Sequence, residues 1–572
     1  MSKLRILQRP YLSSPDQLQG VPSFLAKILA ARGIQSEHEL ELKLKHLLTS
    51  EMKDLTTAVQ LIDQAIEQQE KIVIIGDYDA DGATSTALML LALRAMGAQV
   101  DYLVPDRFKY GYGLTPAIAD LAFHRFQPDL LITVDNGISS HEGVDQAHAL
   151  GMRVIITDHH LTTKEPPAAE AVVNPNQLGC PFPSKALAGV GVAFYLLAKL
   201  SRQREQQGKL SVKMAQYLDL VALGTYADVA SLDYNNRILV DAGVQRIRQQ
   251  QCRIGISALL DVANRDATQL QAEDLGFVLG PRINAAGRME TMDIGIECLL
   301  ATTPTQAYAL AQQLNQLNLD RRQVETQIKQ EALTALAQVK LDQDNLPAAL
   351  VMYEEHWHQG VIGIVAGRLK EQFHRPAIVF AADQDGIHIK GSARSIEGIH
   401  IRDAIERIAE QHPNLVRYFG GHAAAAGLTI NKNDFLAFQQ AFNQLIAEMD
   451  EDIFQAILWT DGELPEDAIQ LSTVDQIEQL GPWGHQFPAP VFHGQFYIDE
   501  YRWLKDVHLK LWLRLNNGER IEAIAFSAKD KFDFDLTQSQ VNLVYRLDRN
   551  VFNGRASVQL QVLHLQHETI AS

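Results

Sequence analysis

Cysteine is nearly missing from this chain: Cys180, Cys252 and Cys298 are the only three, and none has a CxxC spacing. An odd, scattered set excludes a disulfide framework and a cysteine-rich zinc site, and it points to a reducing compartment, the cytoplasm. No run of about 18 apolar residues occurs, and the basic start MSKLRILQRP has no apolar stretch behind it, so neither a spanning helix nor a signal peptide is expected. Positive charge is also short, with a formal net charge of −18. That balance counts against a uniformly basic nucleic-acid-binding surface. The deficit is uneven, however: residues 501–572 carry ten Lys/Arg against eight Asp/Glu, which leaves −20 for the rest. At 572 residues the chain is too long for one core and divides into three or four domains.

The most informative stretch is Lys71 to Gly82, KIVIIGDYDADG. A short apolar strand, Ile72 to Ile75, runs into a turn carrying Asp77, Asp79 and Asp81. Carboxylates this close repel one another unless a cation neutralises them. Hard oxygen ligands favour magnesium or manganese over a structural zinc. A solvated acidic turn is the alternative until the rest of the chain is read.

The pattern then repeats. ATSTALMLLALRAMG reads as an apolar helix stopped by Gly97, followed by a strand at Val100–Val104. Leu130–Val134 is a second buried strand, ending in Asp135-Asn136-Gly137, and Val154–Thr157 a third, ending in Asp158-His159-His160. Strands alternating with helices such as His141–Leu150 predict an α/β fold with a doubly wound, mostly parallel sheet, whose ligands gather beyond the carboxyl ends of the strands. All three acidic clusters sit at such ends. A dinucleotide enzyme of this architecture would carry G-x-G-x-x-G in its first β-α turn. GDYDADG instead puts anions where a pyrophosphate would lie.

With Asp228 in GTYADVA, these motifs resemble, in order, those of the DHH phosphoesterase superfamily. GPRINAAGRM (280–289), GSARSIEGIH (391–400) and GGHAAAAG (420–427) extend the likeness, the last resembling a DHH-associated domain. The whole chain is similar to the RecJ single-stranded-DNA exonucleases. The resemblance implies a two-metal site for Mn2+ or Mg2+ built from Asp79, Asp81, Asp135, His159 and Asp228, with Asp135 as the bridge and Asp77 as an additional ligand. Ile75 stands where some members carry a histidine, so one coordination position falls to water. His160 is expected on the scissile phosphate or on a neighbouring carboxylate. Arg107 near the YGYG turn, Arg282, Asn284, Arg288, Ser392, Arg394 and His422 are the candidates for substrate phosphate.

By resemblance the activity is a 5′→3′ exonuclease on single-stranded DNA in repair and recombination, with a single-stranded-DNA-binding protein and a helicase as candidate partners of a monomer. The alternatives are a small-substrate phosphodiesterase of the same superfamily, acting on oligoribonucleotides or cyclic dinucleotides, and a replication scaffold without chemistry. The first are shorter chains and the second lacks ligands that this chain keeps.

The expected organisation is a helical lead-in (1–50, with helices near Phe24–Ala31 and Leu40–Leu48), a DHH domain (51–235), a helical connector (236–344), a DHH-associated α/β lobe (345–450) and an OB-fold (455–572). In the last, the period changes to two, as in HLKLWLRL and IEAIAFS. Interleaved Trp503, Lys505, Lys510, Trp512, Arg514, Phe526 and Arg546 suit a barrel that stacks bases and tracks phosphates, although any one of them is equally suited to a barrel core.

Overall fold

The computed structural model describes residues 4–106, 109–162, 164–338, 346–531, 540–552 and 554–566. In chain order, β1 (Arg5–Gln8) is followed by β2 (Lys71–Ile75), β3 (Gln99–Leu103), β4 (Leu130–Val134), β5 (Arg153–Thr157) and β6 (Ala171–Val173). The last five form one all-parallel sheet in the order β3-β2-β4-β5-β6. Period-two alternation explains why both faces are covered. Ile72 and Ile74 point into one apolar cluster, and Val73 and Ile75 into another on the opposite face. Ile75 is fully buried there, and its hydrocarbon side chain offers no donor atom to a metal.

A second mixed sheet comprises β7 (Leu350–Tyr353), β8 (Ala377–Ala382), β9 (His388–Arg394), β10 (Tyr418–Gly421) and β11 (Ala425–Asn431), in the order β10-β11-β9-β8-β7. β12 (Ile457–Thr460) pairs in parallel with β1, Arg5 opposite Ile457. β13 (Phe492–Leu504), β14 (His508–Arg514), β15 (Arg520–Ala525), β16 (Gln540–Phe552) and β17 (Arg555–Gln566) close a barrel in the order β13-β14-β15-β17-β16.

The chain falls into two compact units. One holds Arg9–Asn318 with Asp461–Thr569, that is, the parallel sheet and the barrel, and the other holds the chain start with Leu319–Thr460. The division falls inside the long helix Pro304–Gln338.

Within the first unit a buried cationic-aromatic stack ties the lead into the barrel to the helical core. Arg32 lies 5.3 Å from the Trp483 ring, Trp483 stacks on Phe487 at 5.0 Å, and Arg237 lies 4.1 Å from Phe487. Arg32 also donates to both carboxylate oxygens of Asp461, at 2.7 and 3.0 Å, with both side chains essentially inaccessible to solvent.

The lead-in differs from expectation. Ser23–Ala30 is a helix, but residues 40–48 hold only the end of one 3-10 turn, Glu37–Leu40, and a second, Leu44–His46, and the segment opens with strand β1. Tertiary hydrogen bonds override the apolar periodicity: Leu48 N–H donates to Asn235, and the Tyr234 hydroxyl to the carbonyls of His38 and Glu41. Among the described residues no helix is long and apolar enough to cross a membrane.

Candidate metal centre

The ligand candidates converge because each ends a strand or begins a helix at the same edge of the parallel sheet. Asp79 caps the helix Ala80–Ala95, accepting from Gly82 N–H at 3.0 Å, and Asp81 sits in its first turn. Carboxylates are favoured there by the exposed N–H groups and the helix dipole. Asp81 is itself gripped by a second helix start. Gly189 and Val190 N–H groups donate to its two oxygens at 2.6 and 2.9 Å. Only glycine fits at 189, since a Cβ would fall 2.6 Å from that of Asp135.

Asp135, one residue past β4, adopts a left-handed backbone (φ 62°), a conformation that aspartate tolerates better than most. Its N–H donates to the Thr157 carbonyl and its own carbonyl accepts from the Tyr112 hydroxyl at 3.1 Å. Asn136 stitches the strand ends by donating to the carbonyls of Ile75 and Val134.

The nitrogen His159 Nε2 is the common vertex. It lies 3.0 Å from Asp135 Oδ1 and 4.0 Å from carboxylate oxygens of both Asp81 and Asp228. Asp77, Asp79 and Asp135 form an adjoining group whose ligand atoms lie within 4.8 Å of one another.

The electrostatics are those of carboxylates buried close to one another. Burial, then the charge of Asp79, pushes Asp81 up to about 7. Burial and the charge of Asp81 push Asp135 and Asp228 well above the usual carboxylate range. Burial and neighbouring His160 push His159 down to about 4, so its imidazole is neutral at physiological pH. Asp135 Oδ1 and His159 Nε2 are buried and close, yet among the described residues neither has a hydrogen-bond partner. Two orphaned donor atoms aimed at one point, rimmed by carboxylates, fit a divalent cation with mixed oxygen and nitrogen ligands.

His160 plays a different part. Its Nδ1 lies 2.7 Å from Asp158, a buried carboxylate that also accepts from the backbone N–H groups of His159, His160 and Ile138. Burial resists charging of His160, but the hydrogen bond and charge of Asp158, with Asp77 and Asp228 beyond, outweigh it and raise the imidazole to about 9. The Tyr112 hydroxyl stands 3.4 Å from its Nε2.

Asp158 and Tyr112 carry structural weight that the sequence reading did not give them. Their signals were present as the first residue of DHH and the second tyrosine of YGYG.

The substrate-phosphate candidates differ in what they touch. Asn284 Oδ1 accepts from Ala80 N–H at 2.8 Å, holding the ligand loop. The same helix approaches so closely that a Cβ at Gly287 would meet the Tyr78 carbonyl at 1.9 Å. Arg282 donates to Asn315 and to the Val278 carbonyl, and Arg288 closes the helix Gly280–Met289. Arg107 lies outside the described residues.

In the other unit Ser392 and Arg394 lie on β9. Ser392 is in register with Gly427 and Arg394 with Ala425, and Arg394 Nη1 donates to Ser392 Oγ at 3.1 Å. The first turn of the helix Ile362–Phe373 meets both, as a Cβ at Gly363 would fall 2.8 Å from Ser392 Oγ and 3.0 Å from Arg394 Nη2. His422 is exposed between β10 and β11. The sequence reading did not single out the segment around Gly363.

On the barrel, Lys510, Trp512 and Arg514 are committed to carboxylates: Lys510 to Glu522 at 3.0 Å, Trp512 Nε1 to Glu522 at 3.1 Å and Arg514 to Asp499 at 3.3 Å. These three lie on the outer face of the barrel, two ion-paired and one hydrogen-bonded to a carboxylate. Trp503 packs against the core, and Phe526 is exposed beside His508.

A parallel sheet whose strand ends gather five aspartates and a histidine, followed by a second mixed sheet, defines a DHH-type protein. The family model described as "DHH family, N-terminal domain" matches residues 71–225, "DHHA1 domain" 346–448 and "RecJ OB domain" 460–564. The single-stranded-DNA-specific exonuclease RecJ of Dickeya dadantii is 49% identical over 561 residues, 96% of each chain. That of Escherichia coli is 44% identical over 568 residues, 98% of each. The chain belongs to the RecJ family. Among solved structures, RecJ from Thermus thermophilus in complex with Mn2+ superposes with a TM-score of 0.83 at 29% identity, covering 99% of this chain and 80% of that one. The same protein in complex with Mg2+ gives 0.77 at 28% identity, covering 99% and 78%.

Proposed function

We propose that the protein is a metal-dependent exonuclease that hydrolyses phosphodiester bonds of single-stranded DNA from a 5′ end, serving DNA repair and recombination. The observation that carries this reading is the pair of orphaned, buried ligand atoms, Asp135 Oδ1 and His159 Nε2, ringed by Asp77, Asp79, Asp81 and Asp228. Kinship with RecJ enzymes supports it. These six residues would hold two Mn2+ or Mg2+ ions, with Asp135 belonging to two of the candidate ligand groups. When bound, such ions lower the pKa of a coordinated water and offset the charge that builds on the phosphate.

The protein's own groups do the rest. Gly189 and Val190 N–H groups fix the Asp81 carboxylate, Asp158 holds His160 protonated, and the cationic imidazole contacts the scissile phosphate through Nε2. Arg282 and Asn284 are positioning residues in this reading. Asn284 sets the ligand loop and Arg282 braces the helix that carries it.

Ser392, Arg394, the helix start at Ile362 and His422, all of one compact unit, form a terminal-phosphate pocket in this reading. Backbone N–H groups at a helix start and a bidentate guanidinium together favour a dianionic phosphate over an internal diester. Recognition of a 5′-phosphate sets the polarity.

The test is incubation with 5′- and 3′-end-labelled single strands, duplexes and RNA in Mn2+, Mg2+ or chelator. Expected is metal-dependent release of the 5′ label first, from single-stranded DNA. Release of the 3′ label first, or equal digestion of blunt duplex, would refute the assignment.

A further inference from the structure

Three irregularities meet beside the ligand loop. Val229, one residue past Asp228, holds a left-handed backbone (φ 59°) that a β-branched residue rarely adopts, and it is 63% exposed. After Ala272–Asp274 the helix widens into a single π turn, Leu275–Leu279, on which Phe277 is 73% exposed. Such turns recur at functional sites, as does strained backbone. Between them opens a cavity of about 310 Å3, lined by Tyr226, Val229 and Phe277 on one side and by His485, Pro488 and Arg546 of the barrel segment on the other.

The walls are fixed. The Tyr226 hydroxyl donates to the Trp483 carbonyl at 2.7 Å, and Ser231 Oγ lies 3.3 Å from His485 Nδ1. Arg546 Nε is buried without a hydrogen-bond partner among the described residues, and Glu273 shares the cavity wall.

We infer that this cavity is a nucleobase slot: it takes one unpaired base of the strand whose phosphate lies at the aspartate-histidine cluster, with Phe277 and Tyr226 against the base and Arg546 beside its backbone. The inference rests on the single-strand reading above. The nearness of Asp228 argues for this occupant. Ala227 and Val229 both line the cavity, and the residue between them, Asp228, stands 4.0 Å from His159 Nε2. Chemistry argues for it too. Aromatic walls with one guanidinium match a flat π face attached to an anionic backbone. A base inside a duplex is stacked and paired, so it reaches the slot only if extruded, which ties the slot to single strands.

The test uses the unmutated full-length chain with Ca2+ in place of Mn2+, a hard cation for oxygen ligands that keeps the carboxylates neutralised while the strand survives, and a fluorescent oligothymidylate in which one abasic residue is moved stepwise from the 5′ end. At one position the missing base weakens binding about 5- to 150-fold, the loss of one stacked base. Adding Phe277→Ala flattens that profile, whereas Phe277→Tyr retains it. Phe277 is mostly exposed, so its truncation opens no core void, and unchanged melting confirms that the fold is intact. A flat profile with Phe277 in place, or the same step in Phe277→Ala, overturns the slot. Intact single strands left whole by the unmutated protein in Mn2+ would instead sink the exonuclease reading, and the slot with it.

Discussion

Replacing Asp135 with asparagine tests the metal centre without disturbing its backbone. Alanine is the poorer choice because residue 135 is left-handed, where asparagine is tolerated and alanine is not. The substitution removes one of the carboxylates around His159 Nε2 and puts no new charge in their place. A ligand that binds only the folded state stabilises it by about 2.7 kcal/mol at a hundredfold excess over Kd. The unit holding the site has about 420 residues, and at about 2.1 cal/mol/K per residue its unfolding entropy is near 0.9 kcal/mol/K.

Saturating Mn2+ therefore raises the melting temperature of the unmutated protein by about 3 °C, and that rise disappears in Asp135→Asn. In chelator at pH 8 the order reverses. Burial and Asp81 raise the Asp135 carboxyl, so its ionised form costs the folded state stability above the ordinary carboxylate range, and the amide escapes that cost. The variant then melts no lower than its parent, and the gap closes as pH falls toward 4. Differential scanning fluorimetry across pH, with and without Mn2+, measures both effects. A chelated variant melting several degrees below its parent, or one that keeps the metal-induced rise, would refute the reasoning.

Arg32→Ala leaves Asp461 buried and unpaired, which costs about 3–5 kcal/mol and lowers the melting temperature of the same unit by about 3–6 °C; a change under 1 °C argues against the buried pair. Arg394→Ala removes a charge-assisted hydrogen bond and reduces the advantage of 5′-phosphorylated over 5′-hydroxyl strands about 10- to 150-fold; a preserved preference in steady-state kinetics excludes the pocket. His160 is held up to about 9 against an ordinary 6.5, so its pairing with Asp158 stabilises the fold fully below pH 6.5 and is lost as pH rises through 9. The melting gap between chelated wild type and His160→Gln should shrink across that window, and a gap that stays constant to pH 10 rules out the pair.

Much of the metal centre was legible because its logic is local. A buried strand, an acidic turn and a helix start are each written in a few consecutive residues, and the sheet brings such turns together whatever lies between them. Roles set by partners distant in sequence were not legible. Nothing in GPRINAAGRM tells whether Asn284 reaches a phosphate or Ala80 N–H, 204 residues away. Nothing in HLKLWLRL tells that Lys510 and Trp512 share Glu522, which register places opposite Trp512. The period of Leu40–Leu48 suggested a helix, yet contacts with Asn235 and Tyr234 decide its path. The cavity beside Asp228 needed residues from four separate segments before it could be seen at all.

The pairing of β1 with β12 has a consequence for synthesis. Arg5 leaves the ribosome hundreds of residues before its partner Ile457, and at about 5–20 residues per second the wait is roughly 20–90 s. Arg32 waits as long for Asp461. During that interval the strand RILQ and a guanidinium destined for burial have no native partners, and neither compact unit can complete itself from the N-terminal end. A nascent chain stopped before residue 457 should be markedly more protease-sensitive over its first forty residues than one stopped after 461, and a stop codon placed near 455 to remove the barrel strips the same two partners from the finished protein.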